Sequence, residues 1–267
     1  MADGITNPRI DEVYYEARRA GTLGGKISGA GGGGFMFFFC DPRRRFAVQS
    51  CLLQLNAQLV NFSFVKEGVR DMDGFLIDRT SEATVISVLD EHITLVAGLR
   101  RLVPTIREAA ALVAASLAGG GKVLLCGNGG SAADAQHVAG ELVGRFLKER
   151  RPLPALALHA NTSVLSAIGN DYGFEEIFAR QVAAHGCEGD VLVAISTSGN
   201  SPNILRAAVA ASGSGLKVIG MTGEGGGELK ELCDLCLCVP SGSTPRIQEM
   251  HILIGHIIAQ LVEEALC

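Results

Sequence analysis

Apolar positions along this chain follow two rhythms. In the second half, five short runs are apolar through their length: Lys122–Cys126, Ala155–Leu158, Asp190–Ile195, Leu216–Met221 and Leu235–Val239. Parallel strands covered on both faces read this way. Stretches with helical spacing separate them, and alternating strand and helix imply a doubly wound, five-stranded parallel sheet of α/β class. Thr84–Arg101 precedes the sheet as a long helix, with Val85, Val88, Leu89, Leu95, Val96 and Leu99 as its apolar positions. Pro104 is expected to break it. A second helix runs to about Leu117 and ends at Gly119-Gly120-Gly121. The last helix, Pro245–Leu266, carries an apolar stripe of Ile247, Ile254, Ile258 and Leu261, interrupted by the polar Gln248, His251 and His256.

The first 75 residues have a different character, that of a small α+β fragment. Ile5–Ala20 reads as a helix, with Ile10, Val13, Tyr14 and Ala17 on one stripe. Glycines then crowd the chain from Gly24 to Gly34, as where backbone approaches a ligand or another backbone. Phe35–Cys40 reads as a strand, Asp41-Pro42 opens a helix to about Leu55, and Val60–Val65 reads as another strand. Asp71–Ala83 is polar. A linker at 76–84 therefore divides residues 1–75 from 85–267.

Composition narrows the function classes. The chain has 267 residues, 48% hydrophobic and 19% charged, enough to bury a sizeable core and too apolar for disorder. A net charge of −5 gives no electrostatic footprint for nucleic acid or an anionic membrane, so any anion site must be local. The eight cysteines suit reduced, buried thiols, several lying inside apolar runs. Cys233, Cys236 and Cys238 include one C-x-x-C spacing, with no second pair to complete a zinc ribbon. No signal peptide is visible and no apolar run approaches the ~20 residues of a membrane span, so the expected location is the cytoplasm.

The candidate chemistry gathers in Val123–Arg145. A strand meets the turn Gly127-Asn128-Gly129-Gly130, and a helix opens at Ser131, a good N-cap. Backbone N–H groups and the positive end of a helix dipole favour an anion there, phosphate foremost. His137 and Glu141 stand four apart, on one face of that helix. The third strand ends in Ser196-Thr197-Ser198-Gly199-Asn200-Ser201 before Pro202, a second site where hydroxyls and N–H groups converge at a helix start. Ligands in such sheets sit at the carboxyl ends of strands near a switch in strand order. Asn170-Asp171, after a helix over Thr162–Gly169, is either a turn or a grip for sugar hydroxyls. His137, Glu141, Gln248 and His256 together offer two nitrogens and two oxygens to a Zn²⁺-like ion, although glutamine is a poor ligand. Gln248 and His256 lie eight residues apart, about 12 Å along a straight helix and about 80° around it. A shared ion then needs leaning side chains or a pocket completed by a neighbouring subunit.

Two resemblances add to this reading. Lys26-Ile27-Ser28-Gly29-Ala30-Gly31-Gly32-Gly33-Gly34 resembles the third, C-terminal motif of the GHMP kinases. Residues 1–75 resemble the C-terminal end of a heptose 7-phosphate kinase of that superfamily. One glycine loop does not assemble metal, nucleotide cradle and acceptor, so no kinase activity is expected of this chain alone. Residues 85–267 resemble the phosphoheptose isomerases of the SIS (sugar isomerase) superfamily. The motifs are Gly127–His137, Glu141, Gly169-Asn170-Asp171, Ser196–Ser201, Arg246-Ile247-Gln248-Glu249 and His256.

That resemblance implies a flavodoxin-like SIS fold and conversion of sedoheptulose 7-phosphate to D-glycero-D-manno-heptose 7-phosphate, supplying heptose for surface polysaccharide or lipopolysaccharide. It implies Glu141 as base and His256 as acid. It puts one Zn²⁺ per subunit on His137, Glu141, Gln248 and His256. Its substrate-contact positions are Asn128, Gly129, Gly130, Asn170, Asp171, Ser196, Thr197, Ser198 and Ser201, to which Ser131, Glu141 and Gln248 are added as candidates from their place in the motifs. It implies a homotetramer with sites near subunit interfaces; the apolar surface of Thr84–Arg101 exceeds what one sheet face covers, in keeping with partner contacts. The competing readings are a non-catalytic SIS module that senses a sugar phosphate or scaffolds a partner such as a replication initiator, and the carboxyl part of a bifunctional heptose kinase–isomerase. The paired acid–base residues weigh against the first, since binding alone needs none.

Overall fold

The computed structural model describes residues 7–28, 35–59 and 79–267. The chain divides into two units between Glu82 and Ala83. In the first, helix α1 (Pro8–Ala20) starts where Asn7 Oδ1 accepts the Ile10 N–H at 2.9 Å, with Pro8 in its first turn, and ends at Gly21 in the left-handed region, φ 113°. Strands β1 (Thr22–Ser28) and β2 (Phe35–Cys40) pair antiparallel. The glycine run thus begins inside a strand, which the sequence reading did not anticipate. A Cβ at Gly25 would stand 2.8 Å from the Phe38 ring, so the missing side chain there makes room for an aromatic. The helix expected from Pro42 is a 3-10 turn, Pro42–Arg44, followed by α2 (Arg45–Gln54). Ala17, Val48 and Leu52 form a small core. The strand expected at Val60–Val65, the glycines Gly29–Gly34 and residues 76–78 of the linker lie outside the described residues, while residues 79–84 are the start of a helix.

Helix α3 (Arg79–Gly98) spans the division and leads the second unit, followed by a 3-10 turn at Leu99–Leu102 and α4 (Val103–Ala118). Pro104 sits in the first turn of α4, where its missing N–H has no intrahelical partner to lose, so it starts a helix rather than breaking one. The core is a five-stranded parallel sheet: β3 (Val123–Gly127), β4 (Ala155–Ala157), β5 (Val191–Ile195), β6 (Lys217–Thr222) and β7 (Leu235–Cys238), in the order β4-β3-β5-β6-β7. The helices threaded between them are α5 (Gly130–Val143), α6 (Thr162–Tyr172), α7 (Ala179–His185), α8 (Pro202–Gly213) and α9 (Thr244–Leu266).

Alternation along each strand sends side chains to opposite faces. Val123, Leu125, Val193, Ile195, Ile219 and Met221 pack with α4, α5 and α9, while Leu124, Cys126, Leu192, Ala194 and Val218 pack with α7 and α8. The chain runs outward from β3 to β4, then returns to β5 on the other side of β3. The switch in strand order therefore lies between the carboxyl ends of β3 and β5, and the helices that follow those strands lie on opposite faces of the sheet.

Candidate active site

Both strand-end loops are built on glycine. A Cβ at Gly127 would overlap the Ser131 carbonyl, and Gly129 takes φ 54°, so the chain folds back tightly after β3. That turn starts α5 earlier than expected: Gly129 is the N-cap, and Ser131 is inside the first turn, 3% exposed, its N–H donated to the Asn128 carbonyl at 3.0 Å. Ser131 is therefore not the cap.

At the end of β5 the hydroxyls turn towards one another. Ser196 Oγ lies 3.1 Å from Ser201 Oγ and 3.4 Å from Ser198 Oγ, and Ser198 Oγ accepts the Asn200 N–H at 3.1 Å. Thr197 accepts the Gly223 N–H through its carbonyl at 2.9 Å, and Gly199, at φ 67°, lies so close to the Gly226 carbonyl that a Cβ would overlap it. A reciprocal pair of amide bonds joins the two loops, Asn128 Nδ2 to Asn203 Oδ1 at 2.9 Å and Asn203 Nδ2 to Asn128 Oδ1 at 2.8 Å. Asn203 is 2% exposed. The sequence reading missed it, because a side chain in the first turn of an ordinary helix gives no sign that it reaches across a sheet.

The reactive cluster forms where α5 and α9 run side by side in the same direction. A Cβ on Gly130 would overlap the Gln248 amide, and one on Gly255 would stand 2.6 Å from Val138, so the two helices advance together. His137 Nε2 lies 3.1 Å from His256 Nε2 and 3.1 Å from Glu141 Oε1. Among the described residues these three form the gathered His/Cys/Asp/Glu group, with ligand atoms within 4.8 Å of one another. Gln248, on the same helix as His256, sets its amide against Gly130 at the start of α5. The Phe146 ring stacks on His256 with centroids 5.6 Å apart. Asp134, one turn before His137, buries Oδ2 without a partner; burial pushes its carboxyl up to about 6, with the His137 charge acting the other way.

Asn170 and Asp171 do not follow a helix. Helix α6 continues through them to Tyr172 and stops at Gly173, φ 97°. They are exposed in its last turn, and Asn170 donates to Asp171 at 2.8 Å. All eight cysteines are free.

Two glycine-built loops at the switch point, with a His–Glu–His cluster beside them, make up the candidate site. A SIS domain model matches residues 92–223, and a model described as GHMP kinases C terminal matches residues 2–57. The phosphoheptose isomerase of Rhodospirillum rubrum is 65% identical over 164 residues, 61% of this chain and 87% of that one. That of Burkholderia pseudomallei is 59% identical over 166 residues, 62% of this chain and 84% of that one. The solved phosphoheptose isomerases of Neisseria gonorrhoeae and Francisella tularensis superpose with TM-scores of 0.66 and 0.67 at 44% and 41% identity, covering 68% and 69% of this chain and 98% of each of theirs. The chain belongs to the phosphoheptose isomerase family.

Proposed function

We propose that residues 85–267 isomerise sedoheptulose 7-phosphate to D-glycero-D-manno-heptose 7-phosphate in the cytoplasm, supplying heptose for surface polysaccharide. The observation that carries this reading is the His137–Glu141–His256 cluster on helices whose starts adjoin the two anion-cradling loops. The hydroxyls of Ser196, Ser198 and Ser201, with Thr197 and the Gly129-Gly130 backbone, hold the phosphate. Binding energy spent there fixes the reacting carbons. Asn170 and Asp171 are assigned to the sugar hydroxyls.

The carbonyl moves from C2 to C1. One proton leaves C1 and one arrives at C2 through an enediol. Glu141 is assigned to take the C1 proton and then to protonate C2, and His256 to deliver a proton to oxygen during ring opening and enediol formation. The donor set also fits a metal. A tetrahedral ion with bonds of about 2.0–2.1 Å separates its ligands by about 3.3 Å, close to the 3.1 Å between the His137 and His256 nitrogens and between His137 and Glu141. We assign one Zn²⁺ per subunit to His137, Glu141 and His256, with Gln248 as the fourth donor once its side chain swings from Gly130. When bound it would supply Lewis-acid polarisation of the carbonyl oxygen. Val85, Ile86, Leu89 and Ile93 of α3 are 52–65% exposed, an apolar face that supports assembly as a tetramer.

The test is an NMR time course with sedoheptulose 7-phosphate in D₂O, run with and without a chelator. The expected result is an aldose product carrying deuterium at C2, with the rate lost on chelation and restored by Zn²⁺. Absence of turnover by the metal-loaded chain overturns the assignment. Deuterium at C2 excludes hydride transfer, which brings in no solvent hydrogen.

A further inference from the structure

Helix α5 ends two residues after Glu141, and its last carbonyls have no partner within the helix. Arg150 takes them. Its Nη2 donates to the Glu141 carbonyl at 2.8 Å and its Nη1 to the Leu142 carbonyl at 2.9 Å. Its Nε donates to Glu263 Oε1 at 3.0 Å. Glu263 belongs to α9, and its carboxylate also accepts the N–H groups of Phe146 at 3.1 Å, Leu147 at 2.8 Å and Lys148 at 2.8 Å. Both side chains are 2% exposed.

Burying two opposite charges is costly, and well-packed apolar residues often serve stability as well. What a guanidinium offers instead is direction, because its rigid fork meets several acceptors at fixed angles. Here the fork ties the carbonyl of Glu141 on α5 to a carboxylate of α9, the helix that carries His256. The same carboxylate fixes the backbone of Phe146, whose ring lies against His256. Both sides of the cluster are thus referred to one buried ion pair.

We propose that Arg150 and Glu263 are positioning residues that hold Glu141 and His256 in mutual register for proton transfer. This deepens the isomerase reading and rests on it for its kinetic test. A misplacement of about 1 Å at a reacting group costs on the order of 10²-fold in rate, and the phosphate loops at β3 and β5 take no part in the pair. Loss of the fork therefore falls on kcat and spares KM.

The experiment measures kcat and KM of the full chain with Arg150→Lys, which keeps the charge but presents one nitrogen, and with Glu263→Gln. Expected is a fall in kcat on the order of 10–100-fold, KM within about threefold of wild type, and unchanged far-UV circular dichroism. Folded variants with wild-type kcat, or with a raised KM and unchanged kcat, overturn the proposal. Should neither variant fold, amide hydrogen exchange on the wild-type chain decides. Phe146, Leu147 and Lys148 N–H groups protected as strongly as β3 support the pair, and exchange at loop rates overturns it. A wild-type chain that binds substrate but shows no isomerase activity removes the functional reading, and the exchange measurement then judges the pair on its own.

Discussion

The two ends of the site are held in opposite ways. At the cradle end, polar groups satisfy one another: three serine hydroxyls cluster, Asn128 and Asn203 exchange amide bonds, and glycines at positive φ fix the turns. At the cluster end, two imidazoles face each other at 3.1 Å beside a carboxylate. Two ring nitrogens at that distance either share one proton or turn their lone pairs to a common guest. Each cradle loop is set locally by turns next to its strand, and one amide pair joins the two. The cluster is tertiary, set by the phase of α5 against α9. A local site should tolerate change gradually, and a tertiary one should fail abruptly.

The largest effect is therefore expected at the cluster. Glu141→Gln and His256→Ala should each lower kcat by roughly 10²–10⁴-fold, the usual cost of one proton-transfer group, with circular dichroism unchanged. Near-normal turnover by either purified, folded variant sinks the roles assigned here and with them the contrast between the two ends.

The next effect concerns the helix that joins the ends. His251 lies on α9 between Gln248 and His256, 1% exposed, with Nε2 3.1 Å from the Thr222 carbonyl and Nδ1 buried without a partner. Burial, only partly opposed by that hydrogen bond, pushes its pKa down to about 4 from 6.5. The unfolded chain then binds more protons than the native one between these values, so stability rises with pH across that window and is lost as pH falls from about 6.5 towards 4. The full span is worth about 3 kcal/mol. Urea titrations at pH 7 and pH 5 should differ in the wild type and differ less in His251→Gln; equal slopes for the two proteins would remove His251 as the cause.

Much of this was legible in the sequence. All five strands stand within a residue or two of their apolar runs, since strands buried on both faces must be apolar throughout. The serine loop was legible because its hydroxyls and Pro202 are consecutive. His137 and Glu141 were legible because four residues make one helical turn. What was not legible depends on neighbours distant in sequence. Asn203, Arg150 and Glu263 act across 75 to 117 residues, and a residue's identity says nothing of such a partner. Ser131 was misjudged as a cap because glycine at φ 54° caps a helix without any side-chain signature. Helix α6 ran past Gly169 because Gly173, not Gly169, takes positive φ. The amide of Gln248 rests against Gly130, a placement that follows from packing and not from spacing.

Asn203→Ala tests the bridge between the two loops. It leaves the Asn128 amide without its partner, a loss of about 1–3 kcal/mol for a buried polar group. Expected are a lower thermal midpoint and a KM raised several-fold with kcat nearly intact, measured in the same isomerase assay. A large fall in kcat instead would mean that the bridge also sets the cluster, and that the two ends are not independent.

The smallest effect is expected from Ser198→Ala. Ser198 is exposed, and its Oγ stands 3.4 Å from Ser196 Oγ, the longer of the two hydroxyl contacts in that loop. Its clear structural duty is to accept the Asn200 N–H at 3.1 Å, and Asn200 is held independently by the Glu228 N–H on its Oδ1 at 2.9 Å. The fold should therefore be nearly indifferent, with stability changed by no more than about 1 kcal/mol. Substrate phosphate loses one hydroxyl among several donors, a few-fold rise in KM at roughly 0.5–1.5 kcal/mol per neutral hydrogen bond. Inorganic phosphate, titrated as an inhibitor of wild type and variant, isolates that contact from the chemistry. Its inhibition constant should rise in step with KM while kcat holds. A variant whose kcat falls with KM unchanged would place Ser198 in the reacting half of the site, and the division between a forgiving local cradle and an exacting tertiary cluster would have to be redrawn.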